Sequence, residues 1–156
     1  IFVGQGRKYL WLKNQIQKHQ VQNFFILLGQ RPLNEMPMIY KTADVFLVSL
    51  KKKKVFEDTI PGKVQSYMMH GKPLLGLISG EAYNLILKNK CGLVAKAGSQ
   101  KDFKFVLNKF LTLKNSSLKQ MGINAKKFAL QNYDSHLSMK RIENYFNLII
   151  DKNYEH

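Results

Sequence analysis

The chain has 156 residues, is 45% hydrophobic, and carries a formal charge of +15 from 25 basic and 10 acidic residues. That length suits one domain with a real core, and no apolar run approaches the roughly 20 residues that span a bilayer. The single cysteine, Cys91, excludes an internal disulfide and any thiolate-rich metal site, so cytosolic exposure is the simplest reading. All basic residues except Arg7, Arg31 and Arg141 are Lys, whereas a surface built to read nucleic acid favours Arg. Two readings of the lysine excess stay open: a solvated surface, and attraction for phosphates or an anionic membrane face. The first residues, Ile1-Phe2-Val3-Gly4, read as a strand already under way, without initiator Met or signal peptide. The expectation is therefore an excised piece of a longer protein.

Strand-like and helical runs alternate along the chain. The strand Ile1–Val3 leads into Gly4-Gln5-Gly6, where small residues let the backbone approach a ligand closely or simply turn tightly. A dinucleotide fingerprint wants a third Gly where Tyr9 stands, which argues against an NAD site. A helix around Leu10 and Ile16 follows, then a strand over Phe24–Leu28 and the loop Gly29-Gln30-Arg31-Pro32. The exposed backbone of that loop suits the edge of a base, and Arg31 reads equally as ligand contact or surface charge. Met36, Ile39 and Tyr40 keep helical spacing ahead of the strand Val45–Leu50. Lys51 to Lys54 repel one another and favour a solvated loop.

The most informative stretch comes next. Glu57 and Asp58 are the only adjacent acidic pair, and Thr59-Ile60-Pro61-Gly62-Lys63 opens a helix carrying Val64, Tyr67 and Met68. Thr59 is expected as N-cap, with Pro61 in the first turn. The first amides of such a turn lack intrahelical partners, and Lys63 adds a full charge beside them, so a phosphate fits there. Phosphate donors beside carboxylates point to a charged, hydroxyl-bearing ligand such as a nucleotide-sugar. His70 closes the helix before Gly71-Lys72-Pro73.

The strand Leu74–Ile78 then leads to Ser79-Gly80-Glu81 and another helix, whose dipole Glu81 favours. That loop reads either as structural or as closing on a donor sugar. After the strand Gly92–Ala95 the chain is helical over 99–150. Ser99 caps a helix over Asp102–Leu113, a second runs from Ser116 to Leu130, and a third after Tyr133-Asp134-Ser135 carries Leu137, Ile142, Tyr145, Phe146 and Ile149. This order predicts an α/β fold, a parallel sheet with helices on both faces and a helical tail. Continuously apolar strands imply burial on both faces. The four His show no ligand spacing and no Asp-x-Asp pair is present, so no metal is expected. Cys91 and the six Met read as core.

The ordered set Val3-Gly4-x-Gly6, Leu28-Gly29, Ala43-Asp44-Val45, Pro61-Gly62-Lys63, Tyr67-Met68, Gly71-Lys72-Pro73 and Gly80-Glu81 resembles the carboxyl-terminal domain of family 4 retaining glycosyltransferases. It is most similar to bacterial enzymes that build surface polysaccharides, including N-acetyl-fucosamine transferase-like members. Met121-Gly122-x-Asn124-Ala125 and Asn132-Tyr133-Asp134 resemble that family's closing helices. The resemblance implies a Rossmann-like half of a two-domain GT-B fold. Residues 1–156 would be a single donor-binding domain, without the amino-terminal acceptor half and inactive alone. It implies metal-independent hexosyl transfer from a nucleoside diphosphate donor, UDP above all, and no cofactor.

In that reading Glu57, Asp58 and Lys63 serve the reaction. Gly4, Gln5, Gly6, Gln30, Arg31, Thr59, Ile60, Pro61, Gly62, Gln65, Ser66, Gly80 and Glu81 hold the donor. The family's Glu-x7-Glu pattern is incomplete: aligned one way it falls on Asp58 and Ser66, aligned the other on Glu57 and Gln65. A neutral group binds a ribose hydroxyl less strongly than a carboxylate. The implied setting is cytoplasmic, at the inner face of the membrane with a lipid-linked acceptor and no nucleic acid. Two alternatives are kept: half of a nucleotide-sugar 2-epimerase, and a basic module for nucleic acid or membrane.

Overall fold

The computed structural model describes residues 1–154. They pack as two compact units, Ile1–Thr42 and a second starting at Ala43. The first contains β1 (Phe2–Val3), α1 (Tyr9–Lys18), a 3-10 turn at Gln22–Phe24, β2 (Leu27–Gly29), a second 3-10 turn at Leu33–Glu35, and α2 (Met36–Lys41). β1 and β2 pair in parallel, Phe2 opposite Leu27 and Val3 opposite Gly29. Phe2 and Phe25 stack at 5.8 Å between centroids, and Ile16 is the buried residue of α1. The strand expected over Phe24–Leu28 is shorter and later. The Phe24 and Phe25 amides donate to the Val21 and Gln22 carbonyls at 3.0 and 3.1 Å, closing a turn that keeps these residues out of the ladder.

The second unit is built on β3 (Phe46–Ser49), β4 (Leu74–Leu77) and β5 (Gly92–Ala95), parallel and in that order. Ser49, Leu77 and Ala95 align at the carboxyl edge. Between β3 and β4 lie α3 (Lys54–Glu57) and α4 (Gly62–Met69); α5 (Glu81–Lys88) joins β4 to β5. The tail forms α6 (Gln100–Leu111), α7 (Asn115–Asn132) and α8 (Ser135–Tyr154). Parallel strands with helical crossovers and a helical tail are as expected, but the strands form two sheets, β1-β2 and β3-β4-β5, rather than one. Two-sided burial holds for β4 and most of β5. β3 alternates instead: Phe46 and Val48 are buried, while Leu47 is 46% exposed.

The core joins Val48, Val64, Met68, Leu74, Ile78, Ala82, Ile86, Cys91, Val94, Ala125 and Ala129. Helical members recur at i, i+4, as one face of a helix requires: Val64 and Met68 on α4, Ala82 and Ile86 on α5, Ala125 and Ala129 on α7. Full burial of a Leu, Ile or Met side chain contributes about 1.5–3 kcal/mol each. α7 packs on the end of α4, where a Cβ on Gly122 would strike the Gly71 carbonyl oxygen. Only a residue without a side chain permits that approach. Ser99 caps α6, its Oγ accepting from the Asp102 amide at 3.2 Å. At the start of α8 the Asp134 carboxylate accepts from the Leu137 amide at 3.0 Å. His70 is the C-cap of α4, with Nδ1 2.8 Å from the Ser66 carbonyl oxygen.

Cys91 is fully buried, and desolvation raises its thiol pKa from 9.0 to about 11. The unfolded thiol ionises nearer 9, so the stability of the neutral buried thiol is intact below pH 9 and lost as pH rises towards 11. Urea unfolding across that window is expected to show a loss on the order of 2 kcal/mol. Cys91→Ala should flatten that part of the profile at a cost of about 1 kcal/mol in packing at neutral pH. An identical pH profile in the variant would remove Cys91 as the cause.

Candidate functional site

Parallel topology puts the loops after β3, β4 and β5 at one edge of the second sheet, where α/β folds bind ligands. After β4 the chain turns through Ser79 and Gly80 into α5. Gly80 adopts φ 75° and ψ −145°, a conformation open almost only to glycine. A Cβ there would also overlap the carbonyl oxygen and Cα of Glu57. The end of α3 and the start of α5 therefore touch backbone to backbone, bringing Glu57 beside Gly80 and Glu81. Glu57 is half-buried, while Asp58 and Glu81 are exposed. Ser79 ties in the third loop, its Oγ accepting from the Ala97 amide at 3.1 Å.

The entry to α4 differs in detail from the sequence reading. Thr59 is not its N-cap: the hydroxyl donates to the Val55 carbonyl at 3.2 Å, finishing α3. The N-cap is Pro61, at φ −60° and ψ 140° with no side-chain cap, and Gly62 is the first helical residue. The cause is steric: proline pushes the residue before it, Ile60, out of the helical region, so the helix cannot start there. The Val64 and Gln65 amides turn to the Pro61 carbonyl at 2.9 and 3.4 Å. The Gly62 and Lys63 amides have no backbone acceptor among the described residues. Lys63 is exposed at the second helical position, and no carboxylate pairs with it among the described residues.

The two candidates for the missing carboxylate separate. Gln65 is half-buried and its Nε2 donates to the Ile60 carbonyl at 3.3 Å, holding the loop that enters α4. Ser66 is exposed, one position further round the helix. Gly4, Gln5, Gly6, Gln30 and Arg31 lie in the first unit, beyond the carboxyl ends of β1 and β2. The Gly4 amide donates to the Gly29 carbonyl at 2.6 Å. Arg31 donates from Nε to the Leu28 carbonyl at 3.1 Å and lies 3.8 Å from Glu35. Its head group thus has local partners, as in the surface-charge reading. Gln30 is exposed.

The loop after β5, Ala97-Gly98-Ser99, shares this edge and is not among the candidate residues of the sequence. A Gly-Ser pair between an apolar strand and a helix was the available signal. At the opposite edge a recess of about 250 Å³ is lined by Lys88, Lys90, Asn124, Lys127 and Phe128, among others; none of these was a candidate. No three His, Cys, Asp or Glu side chains gather to hold a metal ion among the described residues. No described helix is long and apolar enough to cross a membrane.

Parallel βαβ units, a helical tail and a ligand edge carrying a helix start define one Rossmann-like half of a GT-B fold. The family described as glycosyl transferases group 1 matches residues 1–128, and the chain belongs to it. No curated protein matches it in sequence. Among solved structures it is similar to Anabaena HepE in complex with UDP-glucose, with a TM-score of 0.74 at 19% identity. The same protein with UDP and glucose gives 0.74 at 18%, and with UDP 0.68 at 18%. Each match covers 93% of this chain and 39% of HepE, so the chain spans well under half of that relative's length.

Gly80→Ala tests the joint at this edge. The variant should lose at least ~2 kcal/mol through the left-handed backbone and the overlap with Glu57, read as a lower urea midpoint. An unchanged midpoint would mean the two loops do not meet as described.

Proposed function

We propose that this chain is the donor-binding half of a retaining glycosyltransferase that moves a hexose or N-acetyl-aminosugar from UDP. The observation that carries the reading is the backbone contact between Glu57 and Gly80 at the carboxyl edge, which brings Glu57 beside Gly80 and Glu81, with α4 starting five residues further on. Family membership and the UDP, UDP-glucose and glucose held by HepE support it.

Charge grows on the pyrophosphate as the donor breaks. In this proposal the Gly62 and Lys63 amides and the Lys63 ammonium meet that charge, already oriented and without a metal ion. Glu57 or Asp58 orients the sugar hydroxyls. Ser66 takes the ribose position, because the Gln65 amide is occupied by the Ile60 carbonyl. Thr59, Ile60 and Pro61 shape the loop, and Gly80 and Glu81 close it from the other side. The acceptor belongs to a second half, and the product to a bacterial surface polysaccharide of the N-acetyl-fucosamine transferase-like group, made at the inner membrane face. The apolar side of α8, with Tyr145 65%, Phe146 59% and Ile149 41% exposed, is proposed to lean on that half.

Calorimetry of the folded chain with UDP, GDP and ADP checks the donor reading. UDP is expected to bind with a Kd of roughly a millimolar or below. Silence from all three nucleotides at millimolar concentration would end the proposal. Lys63→Ala should weaken UDP at least about tenfold, the scale of one charge-assisted hydrogen bond. Unchanged affinity would take Lys63 out of the site.

A further inference from the structure

We propose that Lys51 to Lys54, together with Val55, dock the carboxyl edge of the second unit onto an anionic lipid bilayer. The inference deepens the donor reading by naming the surface at which that edge works. All four lysines are exposed. None is paired with a carboxylate among the described residues, where the one ion pair made by any Lys or Arg joins Arg31 to Glu35. Four adjacent ammonium groups repel one another, and the run has no internal compensation. An external plane of negative charge supplies it.

Position narrows the partner. A Cβ on Gly98 would lie 4.0 Å from the Lys52 Cβ, so the lysine loop rests against the β5–α6 connection. It therefore shares the edge formed by Glu57, Gly80 and the start of α4. Val55 follows directly and is 63% exposed. A cationic run ending in an exposed apolar residue combines electrostatic attraction with shallow apolar insertion, which suits a bilayer interface. Nucleic acid is less well served. The run contains no Arg for bidentate contacts and no aromatic for stacking, and Phe56 beside it is half-buried. Each lysine near an anionic surface multiplies binding by about fivefold, so four together matter even without a deep anchor.

The test is co-sedimentation of the chain with vesicles of phosphatidylcholine alone or mixed with phosphatidylglycerol. Binding is expected only to the mixed vesicles and should fall as salt rises. Lys52→Glu with Lys53→Glu should weaken it at least about tenfold while leaving UDP binding unchanged. Lys88→Glu with Lys127→Glu alters net charge equally at the opposite edge and should have far less effect. Equal loss in both double variants would overturn the proposal in favour of overall charge. Equal binding to uncharged vesicles, or tighter binding to a DNA duplex, would overturn it as well. Loss of UDP binding with vesicle binding intact would count against the donor reading alone.

Discussion

The contact of the Gly80 backbone with the backbone of Glu57 is what the arrangement of this edge depends on. It joins two connections far apart in sequence, one leaving α3 and one entering α5. Two constraints protect it independently, a left-handed backbone and the absence of room for one carbon. Because it is made by main chain rather than side chains, it fixes the base of Glu57 without engaging its carboxylate. Ser79 extends the same joint to the third loop through the Ala97 amide.

α4 ties that edge to the interior. Val64 and Met68 are fully buried, its first turn presents the Gly62 and Lys63 amides, and just past its end Gly71 abuts Gly122 of α7. A shift of α4 large enough to move Lys63 would therefore disturb close-packed side chains at once, and cores resist such shifts. The Gln65 bond to Ile60 stiffens the entry further. Rigid placement of donors before charge appears is what stabilisation of a developing anion needs.

Much of this was legible in the residues themselves. β4 and β5 stand within a residue of their apolar runs, and Ser99 caps α6 as its position ahead of Asp102 suggested. The misread parts have local causes. Thr59 looked like a cap until proline geometry at Pro61 moved the helix start past Ile60. The run Phe24–Leu28 lost its first half to a turn of equally apolar residues, which hydropathy does not distinguish from strand. The Glu57–Gly80 approach leaves no side-chain signature at Glu57, so only Gly80 hinted at it. Gln65 and Ser66 are told apart by a bond that no pattern encodes, the Gln65 side chain turning back to the Ile60 carbonyl of its own loop.

α8 begins against α7, its base held by the Asp134 cap and by Arg141 donating to the Gln131 carbonyl at 3.0 Å. From residue 139 to 150 every position is exposed. A helix of twenty residues is about 30 Å long. Held at one end, it is a lever: a rotation of about 10° at Tyr133 carries its tip roughly 5 Å. Slight repacking around that residue is thereby magnified into a displacement wider than a side chain, and anything seated on the far end of α8 would move with it.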